Sequence, residues 1–484
     1  MLKTKFTSWT FLLLMLVAGF TSCSQEDDND PVIVDPSLSV SPAAMAFSAE
    51  GGAKGMQISS NTLWTITGVP DWLSLSEVAS EGTLNIQVTA QPNEMLESRA
   101  VTLTISGDNG DLVDEVQVTQ EAAEEEVPDE GVEASIPPDN SGMRDMTSVQ
   151  LSDEMGIGWN LGNSLEAIGG ETAWGNPVVT ERLIDSVKAA GFNTVRIPVA
   201  WSKFSDPENF IIQEQWMNRV EEVANYVLDN DMYAIINIHW DGGWMQPTYD
   251  DQDYVNERLD AMWQQIAIHF RDYDDNLLFA GTNEVMVEGD YGTPTEEYYT
   301  VQNSFNETFV NTVRETGGRN HYRHLVVQGF NTNIDHTVNY VVVPEDVVDN
   351  RLFMEVHYYD PYNFTLNENS TVYQWGEDAP ESEDWANESY ADSQFEKMKT
   401  NFIDQGIGVI LGEYGAIRRE GVEGHEAYRE YYNEYITAAA LEHGLVPVYW
   451  DNGDVDDLGF ALFDRSTGEV LYPGLLDVLM ATEN

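Results

Sequence analysis

Two glutamates set in short polar motifs, Asn283-Glu284 and Gly412-Glu413-Tyr414, are the residues best suited by type to act on a substrate. Two carboxyl groups facing each other across a glycosidic bond can hydrolyse it, one ionised to attack the anomeric carbon and one protonated to release the leaving oxygen. A pair about 5–5.5 Å apart does so with retention of configuration. The two groups then need opposite protonation, which their neighbours must enforce. Arg196 is the cation available to keep Glu413 ionised, and Tyr359 can donate a hydrogen bond to the same carboxylate. Asn283, beside Glu284, can bind a substrate hydroxyl that tightens in the transition state.

These residues share a position in the chain's rhythm. Apolar strand-like runs begin at Gly156, Thr194, Tyr233, Leu277, Leu325, Leu352, Val409 and Val446. Helical patterns separate most of them: 180–190, 215–230, 254–270, 295–316 and 426–443. Eight runs with helical crossovers point to a (β/α)8 TIM barrel over 143–484, although strand periodicity alone leaves a doubly wound open sheet as the alternative. The polar clusters end the runs, where barrel enzymes build their sites. They are Arg196-Ile197-Pro198, His239-Trp240, Asn283-Glu284, His357-Tyr358-Tyr359, Gly412-Glu413-Tyr414 and Trp450-Asp451-Asn452-Gly453. A lone strand-end His is more often a packing residue, but six polar strand ends on one face converge. Strands four and seven lie across the barrel mouth, so Glu284 and Glu413 can face each other.

Residues 37–121 read differently, as short alternating runs broken by turn residues such as Gly51-Gly52, which predicts a small all-β immunoglobulin-like sandwich. Residues 122–142, rich in Glu, Asp and Pro, read as an acidic linker that cannot bury enough apolar area to fold alone. Lys3 and Lys5 precede the apolar run 11–18, which is too short for a membrane span of about 20 residues. With Phe20-Thr21-Ser22-Cys23 it resembles a lipoprotein signal peptide over 1–22, with Cys23 as the lipidated residue and 23–36 as an acidic tether. The expected location is therefore the outer membrane, exposed at the cell surface.

Net charge is −62, from 84 acidic and 22 basic residues. Such a chain repels polyanions, which excludes nucleic acid as a partner and favours a neutral substrate over acidic glycans. Cys23 is the only cysteine, so neither disulfides nor thiol-ligated metals are available. There is no zinc-binding His-Glu-x-x-His pattern and no phosphate-cradling loop. The acidic stretch 451–457 lacks EF-hand spacing and reads as a solvated loop. No cofactor or metal is expected.

An ordered set of motifs spans nearly all of 150–484: Gly158-Trp159-Asn160-Leu161-Gly162-Asn163, Ala173-Trp174-Gly175-Asn176-Pro177, Asn193-Thr194-Val195-Arg196-Ile197-Pro198, Asn237-Ile238-His239, Asn283-Glu284, His357-Tyr358-Tyr359-Asp360-Pro361-Tyr362, Gly412-Glu413-Tyr414-Gly415 and Trp450-Asp451-Asn452-Gly453. Each piece is weak alone, but in this order the set resembles glycoside hydrolase family 5, most closely its subfamily 4. The stretch 64–73, with Arg99 and Val118-Thr119-Gln120, resembles a BACON module. Its expected role is a spacer, with Trp64 and Trp72 serving as core or sugar platform.

The resemblance implies a retaining endo-β-1,4-glucanase with Glu284 as acid/base and Glu413 as nucleophile. Arg196, His239, Asn283, His357 and Tyr359 would form the polar shell, and Trp450 the platform beneath the sugar next to the scissile bond. Trp174, Trp244, Tyr362, Phe364 and Trp375 fall on expected loops and either line further subsites or fill core. Two positions depart from the family pattern. Val285 stands where proline is usual, which should alter the loop, and Tyr414 stands where phenylalanine is common, which could add a hydrogen bond. The expected partner is a neutral β-glucan (xyloglucan, mixed-linkage glucan or soluble cellulose), cut by a monomer. A mannanase or xylanase on the same barrel, or a silent glycan-binding protein, are the alternatives.

Overall fold

A computed structural model describes residues 36–481, apart from 50, 94, 96–97, 108–109 and 123–132. The signal segment and Cys23 lie outside the described residues. The chain divides into two compact units, Met1–Glu130 and Gly131–Asn484.

The first unit is a sandwich of two sheets. One sheet runs Leu38–Ser41, Gly52–Ser60, Leu84–Ala90, Leu73–Leu75 in spatial order, and the other Ala44–Phe47, Leu112–Gln120, Arg99–Gly107, Leu63–Thr67, Ala79–Glu81. Its strands bury alternate residues, as a sheet packed on one face must. Met56 and Ile58 meet Leu103, Ile105, Val116 and Val118 in the core. Trp64 is part of that core, its Nε1 donating to the Gly82 carbonyl at 2.8 Å. The Arg99 guanidinium lies 4.6 Å over the Trp72 ring.

The second unit is a closed barrel of eight parallel strands. In chain order they are Gly158–Asn160, Thr194–Ile197, Tyr233–Asn237, Leu277–Ala280, Leu325–Gln328, Leu352–Tyr358, Gly408–Tyr414 and Leu445–Tyr449. Strand 1 pairs with strand 8 through Gly158↔Val448 and closes the ring. Helices cover the outside, so the strands are buried on both faces and read as continuous apolar runs. The outward residues join the helices in one large core. The inward residues form a second core that includes Tyr233, Ile235, Leu278, Ala280, Val326, Phe353, Ile410 and Val446.

Leu151 and Met155 of the short helix Ser148–Met155 belong to that interior core. A capping box starts the helix, with Thr147 accepting from Gln150 N–H and the Gln150 side chain accepting from Thr147 N–H.

The segment read as linker is in part barrel. Ile136–Pro138 pairs with Gly317–Gly318, and Arg271 Nη1 donates to the Glu133 carbonyl at 2.9 Å. Prolines suit such an edge because the ladder here uses the N–H groups of Ile136 and Asp139 instead.

Candidate active site

Strand 6 carries the centre of the site. Phe353 points into the barrel interior, and the period of two places Glu355 and then His357 above it on the same face. Strand 7 reaches the same level through a bulge. Val356 pairs with Leu411 but His357 with Glu413, so Gly412 is the extra residue. Bulges re-aim side chains, and this one turns Glu413 into the mouth. Glu284 follows strand 4 in a left-handed conformation (φ 47°), its N–H donating to Gln328 Oε1 at 3.1 Å. An outlier of this kind at a non-glycine residue is held by its surroundings.

Carboxylate oxygens of Glu284 and Glu413 lie within 4.8 Å of each other. Arg196 Nη1 reaches Glu413 Oε1 at 3.0 Å, and Tyr359 OH donates to Glu413 Oε2 at 3.1 Å. Arg196 also donates to Asn160 Oδ1 at 3.0 Å and Asn283 Oδ1 at 2.5 Å, and its Nη2 meets Glu355 Oε1 at 3.0 Å. His357 bridges two carboxylates, Nδ1 to Glu284 Oε1 at 2.7 Å and Nε2 to Glu355 Oε1 at 3.1 Å. The Glu413 side chain is 7% exposed and that of Glu284 40%, so Glu284 is the one open to an incoming chain.

The charges are interlocked. Burial works against a charged His357, but Glu413, Glu284 and Glu355 outweigh it and raise the ring's pKa to about 9. Burial, with Arg196 and His357 nearby, holds His239 well below the ordinary imidazole value, so that ring is neutral. Burial also pushes the Tyr359 hydroxyl up, with Glu413 adding to it, and keeps it a donor. Burial opposes the charge on Glu284, yet the His357 hydrogen bond and charge override it and hold Glu284 below the ordinary carboxylate range. For Glu413 burial wins over His357 and Arg196 and moves the carboxyl up. The two carboxylates titrate as a coupled pair.

Glu284, His357 and Glu413 are also the described residues whose donor atoms lie close enough to hold a metal ion. Carboxylates engage both nitrogens of His357, which suits a proton-carrying ring better than a ligand.

His239 stacks parallel to Trp450, ring centroids 6.0 Å apart, and Trp450 covers Gly162. Asp451, far from solvated, is fully buried; it accepts from Trp159 Nε1 at 3.0 Å and Arg465 Nη2 at 2.9 Å and so fixes the turn after Trp450. Asp454, Asp456 and Asp457 are exposed.

The loop aromatics divide. Trp174 and Tyr362 are exposed. Phe364 and Trp375 are core: Phe364 packs on His425 and Tyr432, and Trp375 donates to the Ala386 carbonyl at 2.6 Å amid Tyr431, Tyr432 and Tyr435. Residue type on a loop says nothing about which face is covered, and here the long excursion after strand 6 packs these two rings against the helix His425–Glu442, as part of the large core outside the barrel. Trp244 is half-buried, its indole tied to Asp241 and one face taken by Arg258 at 4.6 Å.

Trp240 is the residue that reasoning about loops overlooked. It is 52% exposed and shares a cleft with Asn283 and Glu284. Its position directly after His239, at a strand end, was the available signal. Val285 is buried, and Tyr414 OH makes the added hydrogen bond, to Thr437 Oγ1 at 2.6 Å.

The cellulase family model (glycosyl hydrolase family 5) matches residues 160–456, and the BACON model, an N-terminal binding domain, matches 62–121. A xyloglucan-specific endo-β-1,4-glucanase of Bacteroides ovatus is 42% identical over 482 residues, covering 95% of this chain and 93% of that protein. Endoglucanase A of Paenibacillus barcinonensis is 40% identical over 363 residues, 70% of this chain and 90% of its own. Among solved structures, a Bacteroides ovatus family 5 xyloglucanase in complex with a XXXG heptasaccharide superposes with a TM-score of 0.70 at 40% identity, over 92% of this chain and 99% of that one. A broad-specificity endoglucanase from Bacteroides salanitronis gives 0.66 at 40% identity, over 70% and 96%.

Proposed function

The chain belongs to glycoside hydrolase family 5, and on that footing we propose that it is a retaining endo-β-1,4-glucanase acting on neutral β-glucans, xyloglucan first among them. The observation that carries the mechanism is the separation of Glu284 and Glu413. Oxygens within 4.8 Å of each other suit a retaining pair and fall short of the about 6.5–9.5 Å that an inverting pair spans to hold its water beside the sugar. Glu413 attacks the anomeric carbon while Glu284 protonates the departing oxygen; Glu284 then takes a proton from the water that releases the sugar from Glu413. The proton for the first step rests on His357 Nδ1, 2.7 Å from Glu284, and crosses when bound sugar displaces water from Glu284. Asn283, held by Arg196, presents its amide to a sugar hydroxyl, and Trp450 lies under the ring that reacts.

Xyloglucan is supported by the Bacteroides ovatus relatives, which align along almost the full chain, and net charge −62 favours a neutral polymer. The first segment, ending at Cys23, supports display at the outer membrane through a lipid. Within 36–122 the aromatic residues are Phe47, Trp64 and Trp72. Phe47 and Trp64 are buried and Trp72 lies under Arg99, which supports a spacer role for the sandwich.

Product size over time on xyloglucan, mixed-linkage β-glucan and mannan tests the assignment. Mid-sized oligosaccharides should appear early from the glucans, with mannan untouched. Release from mannan alone overturns the substrate but keeps the mechanism; no product from any of the three overturns the glucanase assignment and turns the search to another β-glycan, xylan first, and then to a glycan-binding protein. Trp240 borders Glu284, the group beside the leaving oxygen, so it is placed to stack the sugar on the leaving-group side. Trp240→Ala should raise KM for polymer roughly 10-fold, a loss of about 1–2 kcal/mol, with kcat on short aryl glycosides unchanged. An unchanged polymer KM would remove Trp240 from the binding cleft.

A further inference from the structure

Glu355 is a third carboxylate in the floor of the site, fully buried, and neither the acid/base nor the nucleophile role needs it. A single oxygen, Oε1, takes both Arg196 Nη2 at 3.0 Å and His357 Nε2 at 3.1 Å. The room for it is made by strand 7: a Cβ at Gly412 would collide with the Glu355 carboxylate, so the bulge glycine that aims Glu413 also admits Glu355. A buried carboxylate is unfavourable unless it is paired, and the interior around this one is apolar, with Phe353 two residues earlier on its strand and Ile410 opposite it on strand 7. A charge kept there has a use.

We infer that Glu355 is a positioning residue: a permanent buried anion that takes the Nε2–H of His357, fixes the ring with Nδ1 towards Glu284, and so parks beside Glu284 the proton it delivers. Every charged or titratable group around this line acts on it. Arg196 comes from strand 2, His239 from strand 3, Glu284 from strand 4, Tyr359 from strand 6 and Glu413 from strand 7, with the Gln328 amide at the end of strand 5. Burial opposes the Glu355 charge, but Arg196 and the His357 contact hold it below the ordinary carboxylate range. It therefore stays ionised while its neighbours titrate.

The sign of the test follows. Removing a fixed negative charge makes every remaining proton in the cluster easier to lose, so both limbs of the pH–rate profile move towards acid. Glu355→Gln keeps the shape and an acceptor for Nε2–H but not the charge. Its alkaline limb, expected in the wild type from the His357 pKa raised to about 9, should fall by at least about 1 unit, giving a roughly 10-fold loss in kcat/KM at the old limb that is recovered at lower pH. KM at the new optimum should change less than about 2-fold. A drop of equal size at every pH, with the limbs unmoved, would make Glu355 a packing residue and overturn the inference.

A measurement on the wild type covers the case in which the variant does not fold. The imidazole 15N signals of His357, identified by their loss in His357→Gln, should report a doubly protonated ring at pH 7.5, and a neutral ring there overturns the inference. The inference rests on the roles proposed for Glu284 and Glu413, and the two fail differently. A wild type that cuts no glucan yet keeps the His357 cation overturns those roles and leaves Glu355's hold on the ring standing. A hydrolysing wild type with unmoved limbs in the variant overturns the inference alone.

Discussion

Glu413→Ala should lose at least about four orders of magnitude in kcat on xyloglucan, about 5.5 kcal/mol of transition-state stabilisation, with KM within a few-fold of wild type. The loss is this large because no other carboxylate can replace the attacking oxygen. Glu355 sits a layer lower, with Oε1 committed to Arg196 and His357, and Glu284 is tied to His357. The fold should survive. Arg196, fully buried, loses its Glu413 partner at 3.0 Å but keeps Glu355 at the same distance and the amide oxygens of Asn160 and Asn283. An unpaired buried cation would be strongly destabilising, and this one remains paired. Thermal unfolding beside initial rates separates the two effects. Because the sugar platform at Trp450 and the Asn283 amide are untouched, the variant should still retain xyloglucan oligosaccharides in calorimetry. Wild-type turnover in this variant would remove Glu413 from the reaction, and loss of binding together with turnover would mean that the cleft itself had collapsed.

Most of this arrangement was readable from residue types, for a physical reason. Parallel strands covered on both faces must be apolar throughout, so Tyr233–Asn237 or Leu325–Gln328 stands out as a run. Polar residues clustered at the C-terminal ends of the runs mark the mouth. Arg196, His239, Glu284, His357, Tyr359 and Glu413 were found that way, and the structure brings them together. What escaped was what depends on the facing of single residues. Glu355 hides inside the run Leu352–Tyr358, where one polar residue among apolar ones looks like noise. Its distance of two residues from His357 puts both on one face, and that period was the missed clue. The helix Ser148–Met155 is only 8 residues long and too short to show a repeat, although the Thr147–Gln150 capping pattern was present. For Phe364 and Trp375 residue type left subsite and core both open, and the structure shows them as core because the loop that carries them folds onto the helix His425–Glu442. The tail of the linker failed similarly: composition cannot reveal that Ile136–Pro138 finds an edge at Gly317–Gly318 to pair with.

Removing the other glutamate should give a different kinetic picture, and the contrast tests the division of labour. In Glu284→Ala, polymer hydrolysis should fall about 10²–10⁴-fold, since the sugar alkoxide leaves poorly without a proton. An aryl glycoside with an acidic phenol needs no such help, so its first step should slow less than about 10-fold. The second step then lacks its base, and the sugar should accumulate on Glu413 as a burst of phenol followed by a slow steady rate. Azide attacks without giving up a proton. The opening left by the side chain is reachable, because Glu284 is 40% exposed where Glu413 is 7%. Azide should therefore raise the steady rate and release a β-glycosyl azide, inverted once at Glu413 and once more on its release. An α-azide would assign the nucleophile to Glu284 instead. Absence of both burst and rescue would take the acid/base role from it. His357 supplies a second reading of the same variant. With the Glu284 partner gone, a carboxylate that raises its pKa is removed, so the ring should lose its proton at lower pH than the wild type's value of about 9. Glu355 still holds Nε2 at 3.1 Å, so the ring should keep its place while its charge becomes easier to lose.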